Sequence, residues 1–397
     1  MRVVRMGRRA VAAAALAASA ALFVNVAPVQ AQPQTPPAQV RPPGTVISAV
    51  AQPDGWRGVA GGSVLDYWMR ASDGTPRPAS GALFVPGGTP PAGGWPVIAY
   101  DHGTSGLGAG CGGQSDPEGH PYPQIRSKED LLIQRLLAQG FAVVAPDYLG
   151  LGRFDTGPHP YLEIASEATA TIDLLRAARS IHPELSRTWA VLGASQGGQA
   201  ALGTGHLQAT YAPELDFRGT IAIDPESDVE KVLPLAGPII PAVPGNDGAM
   251  SFFVSILAGL RAARPDVPVE QYLTPKGREV LDSVGALCLD GITDRVRGLG
   301  VGDLLARPLA EEPIRSALDA YLTVPTSGYD APILLLLNIT DTTVPSPLHA
   351  ALAAQLAANG VDFQTVVGTG RHTQLDSSMQ AAIDAFLDRV KATPPAR

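Results

Sequence analysis

The stretch VLGASQGGQA, residues 191–200, sets a serine among glycines where an apolar run ends. Gly193-Ala194-Ser195-Gln196-Gly197 fits the pattern G-x-S-x-G, which holds a nucleophilic serine on a tight strand-to-helix turn. The glycines have a steric reason, since strand and helix can close around the serine only where side chains are absent. The helix that follows aims free N–H groups and the positive end of its dipole at a reacting carbonyl. A glycine-rich turn with no catalytic duty can carry the same five residues, so the pattern counts only with suitable partners.

Those partners are a base and an orienting acid, expected in the order Ser, Asp or Glu, His after late strands. Seven histidines are present. His102, His120, His159 and His182 precede Ser195, His206 falls on the helix after it, and His349 falls on the next-to-last helix. His372, in VVGTGRHTQLD, directly follows the last expected strand and is the candidate base; a solvated loop histidine is the bland alternative. Asp341, closing ILLLLNITD, is the candidate acid, with Asp224 at the end of the preceding strand as its rival. An oxyanion needs two donors. The Gln196 amide supplies one, and Thr104 in DHGTSG, residues 101–106, supplies the other by its amide, with its hydroxyl in reserve and His102 and Gly103 shaping the turn.

The elements that must position these groups follow from periodicity. Val64 to Ala71 and Ser80 to Val85 read as a hairpin around SDGTPRP, and PVIAYDHG, FAVVAPD, TWAVLGA and RGTIAID read as buried strands. Ser127 and Asp130 resemble a capping box before a leucine-bearing helix that stops at Gly140. Residues 163–181 and 196–207 are helical by pattern, and after PILLLLNITD come a helix at 346–358, the strand VDFQTVVG and a final helix from about 373 to 391. This alternation predicts an α/β-hydrolase fold: a mostly parallel sheet with helices on both faces. It lapses over residues 225–329, too long for an ordinary loop, which reads as an inserted, mostly helical cap or lid. The core is then 45–224 and 330–397. Within the cap, GAMSFFVSILAGLRAARP is an amphipathic helix whose Phe253 and Leu257 are candidates for lining the substrate, or else simply core.

Arg2, Arg5, Arg8 and Arg9, an apolar stretch to Val24 and Val29-Gln30-Ala31 form a signal-peptide pattern over 1–31, with cleavage near Ala31 and secretion to the outside. The apolar run is too short for a membrane span. Residues 32–44, rich in proline and glutamine, read as a disordered spacer. Net charge is −8, and no basic run occurs beyond the signal, which argues against nucleic acid as a partner. Cys111 and Cys288 are the only cysteines, on flanks that read as exposed loops or element ends. In a secreted chain such a pair points to a disulfide, with two separate buried thiols as the alternative; no histidine cluster beside them suggests a metal.

The chain resembles the secretory lipase family of capped α/β-hydrolases, in its actinobacterial branch. The likeness rests on DHGTSG with Cys111 after it, APDYLGLG followed by HPYL, DLLRAAR, GASQGGQAAL, and the TD…VP and GRHT segments. It implies an extracellular serine esterase or lipase without cofactor, with Ser195, Asp341 and His372 as the triad and Cys111 bonded to a lid cysteine. Gln196 departs from the fungal members. The expected substrate is an acyl ester, as a small molecule or at a lipid or polyester surface. Acyl transfer or peptide hydrolysis by the same triad is an alternative, and a non-catalytic ligand-binding member of the fold is another.

Overall fold

The computed structural model describes residues 41–52, 56, 58–59 and 61–392, so the expected signal segment and most of the expected spacer lie outside the described residues. Nine strands form one sheet: β1 (Val46–Gln52), β2 (Gly62–Arg70), β3 (Pro76–Phe84), β4 (Trp95–Asp101), β5 (Ala142–Pro146), β6 (Leu185–Ala194), β7 (Asp216–Ile223), β8 (Ile333–Asn338) and β9 (Phe363–Gly368). Their spatial order is β1-β2-β3-β5-β4-β6-β7-β8-β9. The first three strands pair antiparallel and β3 joins β5 antiparallel, while every pairing from β5 through β4 to β9 is parallel.

The parallel strands are continuous apolar runs because helices cover both of their faces. Val97 and Ala99 of β4 point into the cluster shared with α2 (Ile164–Ile181) and α3 (Gln196–Tyr211). Ile98 and Tyr100, one residue out of step, point into the opposite cluster with α1 (Pro123–Ala138) and α11 (Ser377–Ala392). Such alternation is the strand period of two, and it lets one short run fill two cores. The strand β8, ILLLLN, is buried along its whole length between β7 and β9, and α10 (Ser346–Ala358) packs on its residues.

Three local features differ from the sequence reading. Strand β1 was not expected; it is an edge strand, largely exposed, and carries no clear alternation of apolar residues. Helix α1 begins at Pro123, so Ser127 is not a cap: its hydroxyl donates to Gln124 O, 2.9 Å away, inside the helix. Proline at the start of the helix replaces the expected capping box, since its missing N–H is one that would lack a helical partner anyway. Cys111 is fully buried rather than exposed.

Between β7 and β8 the chain passes through α4 (Val229–Val232), α5 (Asp247–Ala263), α6 (Pro275–Val284), α7 (Leu289–Val296), α8 (Val301–Leu304) and α9 (Ile314–Leu322). These helices share an apolar cluster of their own, built around Val254, Leu257, Leu260, Tyr272 and Val280, which also takes in Leu107, Tyr161 and Leu162. Local signals set the ends of these helices. Thr274 accepts the Gly277 amide on its hydroxyl at 2.9 Å, and Pro275 opens α6 behind it.

Candidate active site

Ser195 sits between β6 and α3 with φ +59°, a left-handed backbone that a residue with a Cβ adopts only under constraint. The constraint is visible in the packing. A Cβ on Gly193 would lie 1.9 Å from Gly197 O, and one on Gly197 would lie 1.9 Å from Asp101 O, so both positions exclude any side chain. Ser195 N donates to Ile223 O at 2.9 Å, which ties the turn to the end of β7.

The structure brings together three of the residues singled out from the sequence. Ser195 Oγ lies 2.8 Å from His372 Nε2, and His372 Nδ1 lies 2.6 Å from Asp341 Oδ2. An ionised carboxylate can only accept, which assigns the proton to Nδ1 and leaves Nε2 to accept from the serine hydroxyl. Asp341 Oδ1 in turn accepts the amides of Thr343 and Val344 at 2.8 and 3.2 Å. Asp224, the rival acid, directs its oxygens elsewhere: to Asn338 N, Asn338 Nδ2 and Thr373 N, each at 2.7 Å.

Thr104 follows β4, and a Cβ on the neighbouring Gly103 would lie 3.8 Å from Ser195 Cβ, so this loop borders the nucleophile. The Thr104 hydroxyl is 2.9 Å from the Tyr161 hydroxyl. Gln196 opens α3, where the first amides have no partner within the helix. Its side chain is fully buried: Nε2 donates to His159 Nε2 at 2.8 Å and to Glu167 Oε1 at 2.7 Å. His159 Nδ1 donates to Leu149 O at 2.8 Å, which leaves Nε2 free to accept.

The expected disulfide is present between Cys111 and Cys288. Beside it, Leu107 N donates to Leu287 O and Leu289 N to Ser105 O, both at 2.9 Å, so the segment after Thr104 runs against the start of α7. Phe253 and Leu257 lie in the apolar cluster of the inserted helices, Leu257 fully buried and Phe253 8% exposed. In this conformation both are covered.

A model of the family described as Secretory lipase matches residues 124–397. The chain belongs to this family. Its similarity to curated proteins includes the "probable inactive lipase" of Mycobacterium tuberculosis, 24% identical over 191 residues; the match spans 47% of this chain and 40% of that one, less than half its length. Among solved structures, lipase A of Candida antarctica superposes with a TM-score of 0.72 at 20% identity, covering 91% of this chain and 85% of that one. A rice cell wall degrading esterase from Xanthomonas oryzae gives 0.67 at 23% identity, covering 88% and 96%. At such identity the likeness shows a shared fold, the α/β-hydrolase.

Sequence reasoning in this family member missed a set of buried acids. Glu226 donates its amide to Ser195 O at 3.2 Å, and the residue is 7% exposed. Burial, followed by the nearby charges of Asp341 and Glu167, pushes its pKa up to about 8. His102 is pushed the other way, down to about 3, chiefly by burial, and so stays neutral under its loop. The acid-rich PESDVE after β7 was the available signal, but a row of carboxylates ordinarily marks a solvated turn. Among the described residues, Asp224, Asp341 and His349 have ligand atoms within 4.8 Å of one another. All four carboxylate oxygens of the two aspartates accept N–H groups of the protein.

Proposed function

We propose that this member of the secretory lipase family is a serine carboxylic ester hydrolase acting through an acyl-enzyme. The observation that carries the reading is the continuous chain of contacts from Ser195 Oγ through His372 to Asp341, at 2.8 and 2.6 Å. Ser195 Oγ attacks the acyl carbon while its proton passes to His372 Nε2. The amides of Thr104 and Gln196 hold the oxyanion. The imidazolium then returns the proton to the departing alcohol oxygen as the ester C–O bond breaks. Water, deprotonated by His372, attacks the acyl carbon, and the carboxylic acid leaves as Ser195 regains its proton. Asp341 holds the ring and stabilises its charged form.

The substrate class in this reading is an acyl ester, free or at a lipid or polyester surface. Residues 225–329 act as the cap over the core of 45–224 and 330–397, with Phe253 and Leu257 reached by the acyl chain once the cap shifts. The signal at 1–31 directs export. The family and the disulfide support an extracellular setting. Among the described residues no helix is long and apolar enough to cross a membrane. The partial match to a mycobacterial protein supports an actinobacterial branch.

The same mycobacterial relative, named as inactive, favours a second reading, a non-catalytic member of the fold. Labelling by an active-serine phosphonate, together with turnover of a chain-length series of p-nitrophenyl esters, decides between them. Stoichiometric labelling at Ser195 and turnover of at least one ester are expected; folded protein that neither labels nor turns over would establish the second reading.

A further inference from the structure

His372 sits in the loop between β9 and α11, where no helix or strand holds it, yet its ring meets Ser195 Oγ at 2.8 Å and Asp341 Oδ2 at 2.6 Å. Two buried side chains beneath this loop supply its anchorage. Asp224, at the end of β7, and Asn338, at the end of β8, are 0% and 1% exposed. Asp224 Oδ1 accepts Asn338 N and Oδ2 accepts Asn338 Nδ2, both at 2.7 Å, so the pair is locked in one mutual orientation.

From this pair three bonds reach the loop. Thr373 N, the residue after the histidine, donates to Asp224 Oδ2 at 2.7 Å. Gly370 N donates to Asn338 Oδ1 at 2.9 Å, and Asn338 Nδ2 donates to Gln374 O at 3.0 Å. The loop is therefore gripped on both sides of His372, at 370 and at 373–374. Thr373 has φ +61°, an uncommon backbone for a β-branched residue, and its amide is the one that Asp224 holds. Both N–H bonds of the Asn338 amide are in use, so no water or rotamer exchange can loosen it without breaking a bond.

We propose that Asp224 and Asn338 are positioning residues for the catalytic base: they hold the 370–374 loop so that His372 Nε2 meets Ser195 Oγ, while Asp341 alone orients the ring and stabilises its charged form. The proposal rests on the triad reading above. It assigns work to an acid that occupies a place from which a triad acid could come, but that here bonds the backbone rather than the imidazole. Asn at position 224 would turn an N–H₂ group toward an N–H donor, either Asn338 N or Thr373 N, and so release one end of the grip. Alanine at 338 would release the other.

The test compares Asp224→Asn and Asn338→Ala with the wild-type protein by steady-state kinetics, phosphonate labelling rate and thermal unfolding. Displacement of a reacting group by about 1 Å costs on the order of 10²-fold in rate. The expected result is a fall in kcat of roughly 10- to 100-fold, with KM unchanged and the labelling rate falling in parallel. A low-field proton resonance from the His372 Nδ1–H···Asp341 bond, expected in the wild type, should broaden or shift in both variants. A structural role alone would lower the melting temperature and leave kcat and the resonance of the folded fraction intact; that result overturns the proposal. If Asp224→Asn does not fold, Asn338→Ala and Asn338→Ser carry the same comparison. Wild-type protein that fails to label would instead remove the triad reading, so the two failures are distinguishable.

Discussion

On one side of Ser195 the His372 loop is held by hydrogen bonds from residues at the ends of core strands, Asp224, Asn338 and Asp341. On the other side the Thr104 loop is held by the helical insertion. Leu107 and Ser105 exchange backbone bonds with Leu287 and Leu289, Cys111 is bonded to Cys288, and Thr104 itself meets Tyr161, which packs in the insertion's apolar cluster. A Cβ on Gly106 would lie 2.5 Å from Cys288 Cα, so the two segments leave no room for adjustment between them. The His372 loop is thus tied to residues at the ends of sheet strands, whereas the Thr104 loop, the oxyanion side of the proposed mechanism, is shared between sheet and insertion. Movement of the inserted helices should therefore reach oxyanion stabilisation and acyl fit first, and proton transfer last.

The largest effect that can break this picture is at the nucleophile. Ser195→Ala should lower kcat by on the order of 10⁶ with the fold intact, and substantial ester turnover in pure variant protein would remove the assignment altogether. Asp341→Asn comes next, at about 10⁴-fold in kcat, because the ring loses the partner that sets its tautomer. It should exceed the Asp224→Asn loss by roughly two orders of magnitude; the reverse ranking would move the triad acid to the end of β7.

The oxyanion side is tested through the disulfide. Replacing Cys111 and Cys288 by serine opens a crosslink between residues 177 apart, for which chain entropy gives at most about 5 kcal/mol of stability. The denaturant midpoint should fall, and kcat should fall in the folded fraction, while the acid limb of the pH–rate profile stays in place. A shift of that limb in the double variant would show that the base also depends on the insertion.

Glu226 sharpens the comparison by pH. Its folded pKa, about 8, lies above the ordinary 4.5, so the folded chain holds a proton that the unfolded chain releases first. The stability it contributes is fully present below 4.5 and is lost as pH rises through about 8. Glu226→Gln, which cannot ionise, should flatten that decline when urea midpoints are compared at pH values on either side of the window. An unchanged slope would mean that the carboxyl is already ionised in the fold.

The smallest expected effect is on chain-length preference. Phe253→Ala or Leu257→Ala should shift the preferred acyl length while short esters are still turned over, since an acyl contact discriminates by about 1–3 kcal/mol per methylene. Leu257 is fully buried, so its alanine variant should also lose about 2–5 kcal/mol of stability. Loss of stability with an unaltered chain-length profile would make the α5 face core and nothing more.

Much of the core was legible because its signals are local. The turn SDGTPRP marks β2 and β3, continuous apolar runs mark β4 to β8, and the helix read at 346–358 is α10 with the same ends. Strand β1 was not legible, because an exposed edge strand buries no consistent face and so leaves no period. The start of α1 lies four residues before the cap pattern at Ser127, because Pro123 can itself open a helix without any side-chain cap.

Sequence alone determined the order of the chemistry-bearing residues and their places at strand ends, since a serine on a glycine turn and a histidine after the last strand are readable from neighbours in the chain. It also determined that two cysteines stood available to pair. Only the tertiary structure shows that Asp341 rather than Asp224 bonds His372, because both close adjacent parallel strands and differ only in how the following loops travel. The same is true of Glu226, Asn338 and His159, whose burial depends on segments brought over them from elsewhere in the chain. A side chain's solvent and partners are set by what folds against it, and neither residue type nor spacing carries that information.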